Sequence, residues 1–90
     1  MQGVRDMELR DTVDYMISSN PIQRLEAEYL QTKIRVKSLE DFLEKYKNGV
    51  ASLPPYTDYN ILHRQFQTML VYEKILEDRL KLIKEEGTWI

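Results

Sequence analysis

The sequence predicts an all-α fold: a long antiparallel helical hairpin with a short N-terminal helix, assembling into a helical-bundle homo-oligomer. Three observations carry that expectation. Two stretches keep mostly apolar residues at alternating spacings of three and four over more than three heptads each. Between them lies Pro54-Pro55, which no helix can run through. Apolar residues are also left over off both seams, more than a lone hairpin can cover.

Taken in order, residues 1–6 carry little pattern and are expected to fray, and Met7 offers a second start that would make MQGVRD an optional extension. Over residues 8–18, Leu9, Val13, Met16 and Ile17 share one face, which predicts a short amphipathic helix. A helix of about ten residues is not stable alone in water, so it must dock.

The seam helix follows at 21–47, with Ile22, Leu25, Tyr29, Thr32, Val36, Leu39, Leu43 and Tyr46 in line. Only Thr32 breaks its apolar character. Asn20 as N-cap, Pro21 at N1 and Gln23 at N3 form a start signature, and Asn48-Gly49 supplies a left-handed stop. At about 1.5 Å per residue the helix is roughly 40 Å long.

In the loop, Val50 and Leu53 are expected to cover the end of the core, and Thr57 or Asp58 caps the next helix. That helix spans 59–86, with Gly87 as its C′ residue. The tail Thr88-Trp89-Ile90 is read either as folding back or as free. Residues 1–90 thus make a single helical-hairpin domain. The second stripe is Tyr59, Leu62, Phe66, Met69, Glu73, Leu76, Leu80 and Ile83. Folding the helices about the Pro-Pro loop sets Tyr46 against Tyr59 and Thr32 against Glu73, so both stripes break at one layer. Leu30, Ile34, Phe42, Val71, Ile75 and Leu82 lie off the seam, and this surplus predicts self-association, most simply two hairpins in a four-helix bundle.

Composition removes several function classes. A net charge of −2 argues against a double-stranded nucleic-acid binder, which carries a basic excess. The chain has no cysteine, so disulfides and thiolate metal sites are excluded. The longest apolar run, Met69 to Tyr72, is far too short to span a membrane, and the N-terminus has no secretory h-region. A cytoplasmic protein is expected. His63 is the only histidine and has no nucleophile or orienting partner in a known pattern; its plainer reading is a surface residue beside Arg64. No catalytic residue, metal ligand or cofactor is therefore assigned, and an enzyme is not expected.

Two constellations keep two readings each. The Thr32/Glu73 layer is either a register-fixing polar layer, with Lys33 or Arg35 neutralising Glu73, or a polar pocket for a ligand. Lys33, Arg35 and Lys37 sit mid-helix with Tyr29 one turn before Lys33, while His63, Arg64, Tyr72 and Lys74 lie across the hairpin and Tyr56 in the loop. These are either cations snorkelling from a solvated face or the residue types that hold an anionic nucleotide, cations for phosphate and aromatic planes for bases.

The run MELRDTVDYMIS followed by RLEAEYLQTKIRVKSLEDFLEKY resembles small Firmicutes phage proteins that open on a MELKDT-like acidic helix. The pattern EAEYLQTKI, LEDFLEK, LPP and LHRQFQTMLVYEKILEDRL also resembles short helical-hairpin proteins first named from a crAss-like phage. Coverage runs from Met7 to about Leu82. The resemblance implies a counter-defence role, most directly a sponge. Similar hairpin proteins directed against CBASS and Thoeris sequester the cyclic nucleotide or cyclic ADP-ribose signals of bacterial immunity. The candidate ligand contacts Tyr29, Lys33, Arg35, His63 and Arg64 come from the residues themselves and not from the resemblance. The expected partners are a second copy of the chain and a small anionic nucleotide signal. A protein–protein inhibitor or adaptor of a host defence protein, and a structural coiled-coil accessory, remain as alternatives.

Overall fold

The protein is described by a computed structural model covering residues 8–86. The expectations for residues 1–7, for Gly87 as a helix stop and for the tail Thr88-Trp89-Ile90 lie outside the described residues. The chain is all-α: a 3-10 turn at Leu9–Thr12, then α1 at Val13–Met16, α2 at Pro21–Lys47 and α3 at Tyr59–Glu86. α2 and α3 pack along their length as an antiparallel hairpin, and the N-terminal segment lies against α2.

The start of α2 is built from side chains. Asn20 Oδ1 accepts the Ile22 N–H at 2.9 Å, with Pro21 needing no partner at N1. Gln23 does not reach back to the Asn20 backbone as a capping box would have it. Ser18 stands between them: the Asn20 N–H donates to Ser18 Oγ at 3.0 Å, and that hydroxyl donates to Gln23 Oε1 at 2.5 Å. The reciprocal cap is thus made through a relay. At the other end Gly49 takes φ 73°, and the N–H groups of Asn48, Gly49 and Val50 bond back to carbonyls of the last turn of α2. Asp58 caps α3, accepting the Ile61 N–H at 2.9 Å.

Tyr46 stacks on Tyr59 with ring centroids 5.6 Å apart, the first pair of the expected register. Along the seam, Leu25, Val36, Leu43 and Leu76 are buried, and so is Thr32, whose hydroxyl donates to the Glu28 carbonyl at 2.8 Å. Such back-bonding satisfies the polar side chain within its own helix, so the layer needs no buried partner on α3.

Two expectations are corrected. The short N-terminal helix is present, running as a 3-10 turn at Leu9–Thr12 and then as α1, but its expected apolar face is not what docks: Leu9, Val13, Met16 and Ile17 are exposed. What docks it is polar: Thr12 is fully buried, donates to the Leu9 carbonyl at 2.7 Å and accepts from Gln31 Nε2 at 2.9 Å. Ala27, one turn before Gln31 on the same face of α2, is buried as well, at 1% exposure. In the loop, Leu53 is half-buried but Val50 is 74% exposed and covers nothing.

Candidate functional site

A straight helix turns about 100° per residue, so side chains flanking a seam fall on one side or the other according to their offset from it. On α2, Lys33 and Glu40 stand on one flank, and Arg35, Ser38 and Phe42 on the other. The five candidate residues divide along this line.

Tyr29 and Lys33 are together on the first flank. Lys33 Nζ donates to Tyr29 Oη at 3.2 Å and lies 5.5 Å from that ring's centroid. Its pKa is raised above the ordinary value, first by this hydrogen bond and further by the charges of Glu73 and Glu77, against partial burial. The ammonium therefore already has acidic neighbours, which weakens its pull on an incoming anion. His63 is on the same flank, nearer the loop. It stacks on Tyr59 at 5.6 Å, so that Tyr46, Tyr59 and His63 form a ladder of rings. A small hollow of about 180 Å³ beside it is lined by Glu40, Glu44 and Lys47 among others, a mixed-charge environment. Lys37 and Lys74 are engaged on their own helices, Lys37 with Glu40 and Asp41 and Lys74 with Glu77 and Asp78, at 3.3–3.4 Å.

Arg35 is on the opposite flank and borders an open groove of about 670 Å³ between α2 and α3. Leu39, Phe42, Leu62 and Met69 make its floor and walls apolar; Ser38, Gln65 and Tyr72 add hydrogen-bonding groups; Leu9 from the N-terminal segment closes one side. That volume is in the range of small-molecule sites, and the composition, apolar with a few placed polar groups, is theirs too. Arg64 borders an adjoining hollow of about 380 Å³ that shares Gln65 and Met69 with the groove. Arg35 therefore borders the groove and Arg64 the neighbouring hollow on α3, while Tyr29, Lys33 and His63 border neither. Ser38 and Gln65 were not anticipated from the sequence, and Phe42 was expected only as part of the off-seam apolar surplus. The signal for them was their common offset from the seam on facing flanks. Tyr56, at 87% exposure, stands away from both flanks.

Among the described residues, no group of three or more His, Asp or Glu side chains is placed to hold a metal ion. No described helix is long and apolar enough to cross a membrane.

Residues 19–82, well over half of the chain, match the family model described as Sequestin. The chain belongs to the Sequestin family. The match begins at Ser19, just ahead of the α2 cap, and ends at Leu82 near the end of α3, so the Sequestin unit is the hairpin itself. The N-terminal segment that closes one side of the groove lies before it. The name is that of a sequestering family, and membership implies a sequestered ligand. No curated protein and no solved structure matches the chain.

Proposed function

We propose that this hairpin is a non-catalytic phage anti-defence protein that binds and withholds a cyclic nucleotide or cyclic ADP-ribose-type immune signal. The observation that carries this reading is membership of the Sequestin family over the whole hairpin. The groove supports the chemistry. Arg35 and Arg64 supply cations for phosphate, Tyr72 and Phe42 supply ring surface for a base, and Ser38 and Gln65 supply polar contacts. Tyr29, Lys33 and His63 face the other flank and join the same ligand only from a neighbouring copy in a homo-oligomer. Sequestration is stoichiometric, so affinity sets the effect and turnover plays no part.

The test is thermal unfolding with a panel of cyclic dinucleotides, cyclic oligonucleotides and cyclic ADP-ribose isomers. A ligand at a hundredfold excess over its Kd stabilises the folded form by about 2.7 kcal/mol, which in a domain this small raises Tm by roughly 10 °C or more. Arg35→Glu abolishes the shift with helicity intact. A panel without any shift or calorimetric binding overturns the nucleotide reading in favour of a protein partner, whose capture a charge at Ile34 or Ile75 would then abolish.

A further inference from the structure

Among the described residues that line the groove, Leu9 alone comes from neither long helix. It is 38% exposed, so it stands at the groove's edge with surface still to cover. Its position is set from a distance. The Leu9 carbonyl accepts from Thr12 Oγ1 at 2.7 Å, and that hydroxyl accepts in turn from Gln31 Nε2 at 2.9 Å. Gln31 itself lines neither the groove nor the hollows beside it. Its amide nitrogen has two hydrogens and also donates to Met16 Sδ at 3.1 Å. One α2 side chain thus holds both the 3-10 turn and α1.

Little else holds them. Val13, Met16 and Ile17 are exposed, Thr12 is the buried residue, and the segment packs on α2 but not on α3. Its root is fixed separately. Arg24 Nη1 donates to the Ser18 carbonyl at 2.8 Å, and Ser18 Oγ belongs to the relay that starts α2. The segment is therefore able to lift away about Ser19 with α2 and its cap intact. Elements that close over ligands are drawn from such weakly held units.

We propose that residues 9–17 are a clasp over the groove: Leu9 makes apolar contact with the bound ligand, and Gln31 is the positioning residue that holds Leu9 there. This rests on the reading of the groove as the ligand site. The groove's other residues fit an occupant that Leu9 would grip. Lys37 and Lys74 are paired with carboxylates, whereas Arg35 has no ion-pair partner among the described residues. Leu39, Phe42, Leu62 and Met69 give an apolar floor. An anion with an aromatic body satisfies both, its charge on Arg35 and its ring between the floor and Leu9. Binding and closure then reinforce each other, because the coupling between them is reciprocal.

The test uses the full chain and anilinonaphthalene sulfonate, an aromatic anion that is not a nucleotide, followed by fluorescence titration. Leu9→Ala and Gln31→Ala each weaken binding about tenfold, the effect of losing part of one leucine contact. The double variant binds no more weakly than either, because Gln31 acts through Leu9. A merely structural Gln31 would add its loss to that of Leu9. Hydrogen exchange gives the second readout: bound probe slows exchange across residues 9–17 in the wild type and does not in Leu9→Ala. Ser38→Trp fills the groove and abolishes binding, which separates the groove from the exposed apolar residues of α3. Additive losses overturn the clasp, as do exchange that the probe fails to slow, binding that survives Ser38→Trp and a wild type that takes up no probe. A failed clasp leaves any nucleotide-induced thermal shift standing, and a nucleotide panel without a shift leaves these results standing.

Discussion

Gln31 Nε2 donates to Thr12 Oγ1 at 2.9 Å and to Met16 Sδ at 3.1 Å, so one α2 side chain holds the middle of the N-terminal segment. Thr12 has no exposed surface, and its hydroxyl both donates, to the Leu9 carbonyl, and accepts, from Gln31. Gln31→Ala removes the donor and leaves a buried acceptor short of a partner, at a cost of about 1–3 kcal/mol. The loss is local. Hydrogen exchange should speed up across residues 9–17 and stay unchanged through α3, and an equal rise in both would refute the local tie.

Leu76 is the most completely buried large side chain, at 0% exposure. Leu76→Ala should cost about 2–5 kcal/mol in urea unfolding, the range for a core leucine whose surroundings only partly collapse. In a domain whose total stability is of order 5–15 kcal/mol, that is a large share. A loss below 1 kcal/mol would mean that this layer is wet.

Gly49 ends α2 at φ 73°, and a methyl group built there meets no atom within 4 Å. Gly49→Ala therefore costs only the left-handed backbone penalty, about 1–2 kcal/mol, with no steric contribution. Gly49→Asn should cost less, because asparagine tolerates that conformation. The urea midpoints of the two variants, compared with wild type, check the order.

Lys33 titrates above the ordinary lysine value of 10.5, first through its hydrogen bond to Tyr29. The sign follows from linkage. A folded-state pKa above the unfolded one adds stability that is fully present below the unfolded pKa and is lost as pH rises through the folded value. The effect is therefore confined to alkaline solution. Tyr29→Phe should bring the Lys33 midpoint down, followed by NMR of its ε-methylene group, and should flatten the alkaline loss of stability. An unmoved midpoint would assign the shift to Glu73 and Glu77 instead.

The hairpin was legible because burial on a long helix repeats. Ile22 to Tyr46 and Tyr59 to Ile83 each hold a period near 3.5, and the stacking of Tyr46 on Tyr59 is what that matching implies. The Asn20-Pro21 start and the Gly49 stop were legible because each answers a backbone need that few residues meet. The N-terminal segment was not. Its docking rests on Thr12 and on Ala27 across from it, and a search for apolar stripes passes over both. The site was half legible. The residue types are those suited to an anionic ligand, but Lys33 and Arg35, two positions apart, point about 160° away from each other around the helix. Proximity in sequence therefore separated them in space.

The core of this hairpin is one side chain thick. Among the described residues only Leu25, Ala27, Val36, Leu43 and Leu76 are buried apolar groups, spread along a molecule 47 Å long. So thin a core leaves little reserve against transient opening, and anything that binds only the closed hairpin adds its binding energy directly to that reserve. In a cell that clears opened chains by proteolysis, occupied copies outlast empty ones, and the lifetime of each molecule becomes a record of whether it is loaded.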